Sequence, residues 1–131
     1  MAEADINFGQ AQIAAFNAAA RSGVVRYEPE VAQQAAAEYG RVVNELLAIR
    51  EKLAEATRPA GFGGLESGKQ LQQGFATKAI DGVDVLNKLA VGAMQLQEAY
   101  LRAGNLLEDA DAQNAVTMRF MADTASEGPQ R

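Results

Sequence analysis

Apolar residues recur at helical spacings along most of the chain. A short helix is predicted over residues 9–21, ending before Gly23, and its apolar side chains are Ile6, Phe8, Ile13, Phe16 and Ala20. A second helix is predicted to begin at Pro29, because proline favours the first helical position and restricts Glu28 before it to extended backbone. Glu30 suits the positive end of that helix dipole.

Two longer segments repeat apolar residues at alternating spacings of three and four. The first heptad seam consists of Ala32, Ala35, Tyr39, Val42, Leu46, Ile49, Leu53 and Ala56. The second heptad seam consists of Phe75, Ala79, Gly82, Leu86, Leu89, Ala93, Leu96, Tyr100, Ala103, Leu107 and Ala110. This spacing is typical of helices that pack along one another.

A sharp turn is predicted at residues 58–65, where one proline and three glycines interrupt the helical pattern. The helix after the turn is expected to run from about residue 66 to about Asp123. The fold class is therefore all-α, with a short N-terminal helix and an antiparallel hairpin of two long helices. Exposed pairs such as Asp84 with Lys88, and Glu98 with Arg102, fit the same helical period.

Three regions follow from this pattern. Residues 1–28 form an N-terminal extension with the short helix, residues 29–123 form the hairpin domain, and residues 124–131 form a flexible tail. We expect the hairpin and partner interface to include Leu46, Ile49, Leu53, Leu86, Leu89, Leu96 and Tyr100.

Apolar side chains also lie outside the two seams. They include Val43, Leu47, Ile80, Val83, Val85, Val91, Met94 and Leu106. A two-helix hairpin buries only the facing stripe of each helix, so a surplus of this kind predicts that something else covers it. The N-terminal helix could cover part of these side chains. A second hairpin, from another copy or from a different protein, would cover more of them by completing a four-helix bundle.

The composition excludes or disfavours several classes of function for this chain. The chain has no Cys and no His, which excludes zinc fingers, haem ligation, disulfides and catalysis by a thiolate or an imidazole. The net charge of -5 disfavours nucleic acids and anionic membranes as partners. No apolar run is long enough to span a membrane and none starts the chain as a signal peptide would, so we expect a protein partner, no enzymatic activity and no cofactor.

Two short patterns are weighed as binding sites. The run from Gly63 to Gln70 approaches a phosphate-binding loop, but Gln70 replaces the hydroxyl residue and no strand precedes it, so a turn with a helix start at Glu66 or Ser67 is favoured. Glu108, Asp109 and Asp111 are expected to form a solvated acidic face rather than a metal site.

Three motifs on the predicted hairpin resemble those of small proteins exported by type VII (ESX) secretion systems, the WXG and PE proteins. Phe62-Gly63-Gly64 in the turn is similar to Trp-X-Gly, with Phe in place of Trp. Pro29-Glu30 stands where PE proteins carry that pair. Leu107 to Asp111 resembles the secretion signal of Tyr, three residues and an acid, with Leu in the aromatic position, and Ala112 to Ala115 is similar to a PE-type ending.

The resemblance implies a non-enzymatic secreted substrate, or an escort of one, that pairs with another helical hairpin as a heterodimer or homo-oligomer. It implies synthesis in the cytoplasm, export to the medium or cell surface, and recognition by the secretion ATPase. Phe62 would then close the open end of the bundle. The alternative from the residues themselves is a cytosolic, homo-oligomeric coiled-coil adaptor or structural protein.

Overall fold

The computed structural model describes residues 9–126, and the N-terminal Ile6 and Phe8 and the last five residues, 127–131, of the predicted tail lie outside that range. The described part contains four helices and no strand: α1 (Gln10–Ser22), α2 (Pro29–Glu55), α3 (Glu66–Ala103) and α4 (Leu107–Ser126). The all-α fold class is confirmed.

The ends of α1 and α2 follow local sequence signals. Gly23 takes a left-handed backbone conformation with φ 86°, and the amide of Val24 donates a 2.9 Å hydrogen bond to the carbonyl of Ala19. Glycine adopts this geometry readily, which explains why α1 ends there. Pro29 occupies the first helical position of α2, as predicted, and Glu30 lies in its first turn.

Helix α3 ends earlier than the sequence pattern predicts. Gly104 follows its last residue and Asn105 has a positive φ of 60°, so the chain turns and starts α4 at Leu107. The expectation of one helix to about Asp123 was therefore wrong. The heptad spacing passes through Gly104 without interruption, and this concealed the break.

Helix α3 is the centre of the fold, because α1, α2 and α4 each pack against it. On the α2 side, the Gln97 Nε2 donates to the Ala36 carbonyl at 3.1 Å. Further along, the Arg50 Nη1 donates to the Asn87 Oδ1 at 3.0 Å. Residue numbers rise along α2 while they fall along α3, so these two helices run antiparallel.

The segment 9–28, assigned to an extension by sequence, belongs to the same packed unit. A Cβ on Gly92 of α3 would lie 3.4 Å from Cδ1 of Ile13, and the Asn17 Nδ2 donates to the Gln95 carbonyl at 3.1 Å. The amide of Tyr27 donates to the carbonyl of Ala103 at 2.9 Å. Helix α1 therefore covers one side of the C-terminal half of α3.

Helix α4 folds back to cover another side. Its Phe120 packs against a core cluster of Val43, Ala93 and Met94, and the Arg50 Cζ lies 5.7 Å from the centre of the Phe120 ring. Much of the core consists of alanine, with Ala32, Ala90, Ala99 and Ala110 fully buried. Small side chains let the helices approach closely, in keeping with the alanine-rich sequence.

Candidate functional site

The two heptad seams are only partly buried. On α2, the side chain of Val43 is buried while its neighbour Val42 is exposed, and Ile49 is 52% exposed. Successive residues of an α-helix point about 100° apart. The first heptad seam therefore lies only partly on the buried side of α2: Ala32 is fully buried, but Val42 and Ile49 point away from the chain's own core.

The second heptad seam on α3 is also only partly buried. Ala90 and Met94 are buried, whereas Leu89 is 36% exposed and Phe75 is 54% exposed. Leu86, Leu96 and Tyr100 are half-buried. The second heptad seam therefore has its alanines Ala79, Ala93 and Ala103 in the core, while its large apolar side chains lie at the border of the core.

Both seams lie on the same side of the α2–α3 pair. The rings of Tyr39 and Tyr100 stack with their centres 5.8 Å apart, one from each seam. Further along, a Cβ on Gly82 would lie 2.6 Å from the Leu53 Cδ2. The Leu53 side chain therefore packs directly on the α3 backbone at this glycine. The seams therefore join side by side into one apolar surface.

We call this surface the open face. On α2 it comprises Val42, Leu46, Ile49 and Leu53, and on α3 it comprises Leu71, Phe75, Val85, Leu86, Leu89 and Leu96. Lys78 interrupts the α3 part between Phe75 and Gly82. Among the described helices, α1 and α4 cover other sides of α3, so the exposed part of this face consists of seam residues on two adjacent helices together with Leu71 and Val85 beside them.

A buried ion network joins three helices beside the core. The Arg102 Nε donates to the Glu98 Oε2 at 2.8 Å, and its Nη2 donates to the Asp111 Oδ1 at 3.0 Å. Arg21 of α1 contacts the same Glu98 Oε2 at 3.0 Å. Glu98 is only 4% exposed. Burial lowers the pKa of Arg102, but its hydrogen bonds to Glu98 and Asp111 outweigh that effect and raise the pKa above its ordinary value.

The network corrects one sequence-based expectation. Asp84 and Lys88 do form an exposed pair, with Oδ2 and Nζ 3.1 Å apart. Glu98 and Arg102 were expected to be exposed in the same way, and both are buried. Their i, i+4 spacing indicated the ion pair but not its location, because that depends on where α1 and α4 dock.

Four aromatic rings close the end of the open face near the start of α2. The Tyr100 ring lies 4.9 Å from that of Phe16 and 5.6 Å from that of Tyr27, and it stacks on Tyr39. Burial raises the pKa of Tyr100, and the neighbouring Tyr39 and Tyr27 raise it further. The cluster ties α1 and its following loop to α2 and α3.

The turn between α2 and α3 carries the predicted Phe62-Gly63-Gly64 motif. The Phe62 ring lies 5.5 Å from the Phe75 ring of α3, at the end of the open face opposite the tyrosines. Gly63 has φ 84°, which explains a glycine at this position. A Cβ on Gly68 would collide with the Phe62 carbonyl oxygen, so the turn packs directly on the start of α3.

The segment that resembles a phosphate-binding loop connects two helices. It leads from the turn into α3, which starts at Glu66 as predicted, and α2 precedes it where a phosphate-binding loop has a strand. In the part of the chain that the structure describes, no group of three or more acidic residues is placed to hold a metal ion.

The segment from Leu107 to Asp111 forms the first turn of α4, not the end of a continuous second helix. Leu107 is exposed, and the Asp111 carboxylate contacts Arg102. Residues four apart share one helix face, so the two motif positions lie together at the start of α4.

The comparisons with known proteins add no relative to this description. No protein-family model matches the chain, and no curated protein or solved structure matches it either. None of the helices within residues 9–126 combines the length and the apolar character that crossing a membrane requires.

Proposed function

We propose that this protein acts by helix–helix association, with its open face receiving another helical hairpin to complete a four-helix bundle. The observation that carries the proposal is the position of the two heptad seams, side by side and partly exposed on α2 and α3. Heptad spacing on adjacent helices is the pattern that packs against further helices. The role is non-enzymatic and needs no cofactor.

The energetics favour covering this face. Burial of apolar surface contributes about 25 cal/mol per Å², and full burial of a Leu, Ile or Val side chain contributes roughly 1.5 to 3 kcal/mol. Ile49, Leu71, Phe75 and Leu89 all keep a third or more of their surface exposed in the single chain. Contiguous exposed apolar residues of this kind mark interaction surfaces.

We further propose that the protein belongs to the type VII secretion system, as a secreted substrate or as the escort of one. Three features support this proposal: the Phe62-Gly63-Gly64 turn beside Phe75, Pro29-Glu30 at the start of α2, and Leu107 with Asp111 on one face of α4. Another helical hairpin is the proposed partner, and the secretion ATPase is the proposed receptor.

Association is tested with Leu89→Asp and Ile49→Asp, which place a charge on the open face. Both side chains are partly exposed, so the variant chains should keep their helical circular dichroism and melting temperature while losing binding to a co-expressed hairpin partner. Met118→Asp is the matched control, because Met118 is an exposed apolar residue on α4. Binding that is lost equally in all three variants would contradict a specific role for the open face.

Export is tested separately in a host that has a type VII system. We expect the protein in the culture medium of the parent strain and its retention in a strain that lacks the secretion ATPase. Leu107→Tyr completes the signal pattern and should increase export. Equal amounts outside both strains, or retention in both with association intact, would contradict the secretion role and favour a cytosolic adaptor.

A further inference from the structure

An open cleft of about 450 Å³ lies where the turn after α2 meets the first turns of α3. Its turn side is formed by Thr57, Arg58 and Pro59. Its α3 side is formed by residues three and four apart, which share one face of the helix: Lys69, Gln72, Gln73 and Ala76. Two bases therefore line one cleft, and none of the described residues that line it is acidic.

Neither base is neutralised by a partner inside the chain. Within residues 9–126, no ion pair includes Arg58 or Lys69. The nearest acids in the sequence, Glu55 and Glu66, each lie three residues before one of the bases and do not line the cleft. These carboxylates and the net charge of -5 lower the potential around the two bases, so an anion should bind with a millimolar Kd.

The cleft offers more hydrogen-bond donors than acceptors. A guanidinium and an ammonium group only donate, and the side-chain amides of Gln72 and Gln73 can each donate as well. The Thr57 hydroxyl already donates to the Ala54 carbonyl at 2.6 Å, so its proton is not available to a ligand. A ligand that accepts hydrogen bonds through several clustered oxygens and carries two negative charges matches these groups. A phosphate dianion has both properties.

The backbone segments that carry the two bases lie against each other. The amide of Arg58 donates to the Glu55 carbonyl at 3.4 Å, which continues the last turn of α2 into the cleft. A Cβ on Gly68 would collide with the Phe62 carbonyl oxygen, so the turn lies directly against the residue before Lys69. Little of the chain then has to become ordered when one ligand binds both bases.

We propose that this cleft binds a small phosphomonoester through Arg58 and Lys69. The guanidinium fork of Arg58 suits two phosphate oxygens, and the ammonium group of Lys69 suits the third. The cleft volume lies within the range of small-molecule sites, roughly 300 to 1,000 Å³, and leaves room for an organic group beside the phosphate.

This site differs from a phosphate-binding loop, which holds phosphates with the backbone amides of a loop after a strand. Here the side chains of the turn and of α3 supply the donors, so the site does not require a hydroxyl residue in place of Gln70. The cleft shares no residue with the open face, so the inference is independent of helix–helix association.

The test is a titration of the purified full-length chain with phenyl phosphate at constant ionic strength, followed by NMR of the backbone amides. We expect saturable shifts within residues 57–59 and 69–76. Arg58→Gln and Lys69→Gln should each raise the Kd about fivefold, because each removes one charge-assisted contact. Lys78→Gln is the matched control and should leave the Kd unchanged, since it removes the same charge from an exposed lysine of α3 outside the cleft. All three side chains are exposed, and circular dichroism checks that the variants stay folded.

The other outcomes overturn the proposal in different ways. Equal shifts with sodium chloride would show general screening of surface charge. Equal weakening by Lys78→Gln, or none by Arg58→Gln and Lys69→Gln, would show that the cleft is not the site. Succinate that binds as tightly as phenyl phosphate would assign the cleft to carboxylates, and tighter binding of inorganic phosphate would assign it to the free ion.

Discussion

The Nη2 of Arg102 lies 3.0 Å from the Oδ1 of Asp111, and this contact joins the last turn of α3 to the first turns of α4. The same guanidinium donates through Nε to Glu98, which also pairs with Arg21 of α1. One side chain therefore links charges from three helices. Arg102 is 8% exposed, so solvent screens these interactions little.

Replacement of Arg102 by Ala should destabilise the chain by roughly 3 kcal/mol, because it removes the main partner of a buried carboxylate. Chemical unfolding monitored by circular dichroism measures this loss. Arg41→Ala is the control, since Arg41 and Glu38 form an exposed pair on α2 and such pairs contribute at most about 1 kcal/mol. Equal effects of the two substitutions would show that the network does not stabilise the helix junction.

Gly74 within α3 and Gly104 directly after its last residue should respond in opposite ways to substitution. A Cβ on Gly104 would collide with the Cβ of Ala32, at the point where the end of α3 meets the start of α2. Gly104→Ala should therefore lower the melting temperature. Nothing lies within 4 Å of a Cβ on Gly74, so Gly74→Ala should stabilise the chain by about 0.5 to 1 kcal/mol through helix propensity. A melting temperature that rises in both variants would contradict the close contact at Gly104.

The helix boundaries show how far the sequence determines the fold. Helical period, Pro29 and the glycine-rich turn predict α1, α2 and the start of α3, because these signals act within a few residues. Gly104 and Asn105 also signal a helix end, yet the heptad spacing on both sides is continuous and favours one long helix. The break becomes clear only when α4 is seen folded against Val43 and Met94.

The candidate site was predicted in part. The seam residues were identified from their spacing, but periodicity does not specify which of two adjacent stripes, such as Val42 or Val43, faces the core. That choice depends on contacts between distant residues, such as Leu53 with Gly82. For the same reason the burial of Glu98 could not be predicted from its own helix.

The shifted pKa of Tyr100 predicts a loss of stability at alkaline pH. Burial, then Tyr39 and Tyr27, raise the pKa above its ordinary value of 10.0, so the folded state holds the phenol proton more tightly than the unfolded state. The resulting stability is complete below about pH 10 and is lost as the pH rises through the higher folded pKa.

Chemical unfolding between pH 8 and pH 11, compared with Tyr100→Phe, measures this effect. Phenylalanine keeps the ring contacts with Phe16 but cannot ionise, so the variant should lose less stability between pH 9.5 and pH 11. Tyr39→Phe retains the ionisable Tyr100 and its burial, which is the largest cause of the raised pKa, and removes only the smaller contribution of Tyr39, so it should keep most of the alkaline loss of stability. Identical pH profiles for the wild type and Tyr100→Phe would show that its phenol does not titrate differently in the folded state.

The docking of α4 depends on Phe120. Its ring packs against the core cluster around Val43 and Met94, and the Arg50 Cζ lies 5.7 Å from the centre of the ring. Phe120→Ala removes an aromatic side chain from a packed site, and such changes cost about 3 to 5 kcal/mol when the side chain is fully buried. Phe120 is half-buried, so we expect a loss of about 2 kcal/mol and faster proteolysis within α4.

Met118→Ala is the matched control, because Met118 lies two residues away on the same helix and its side chain is 57% exposed. It should leave both stability and the rate of tryptic cleavage after Arg119 close to those of the wild type. If trypsin cleaves Phe120→Ala no faster than Met118→Ala, α4 does not depend on the Phe120 ring for its position against α3. If both variants cleave faster, α4 unfolds by local fraying and the contact with Arg50 contributes little.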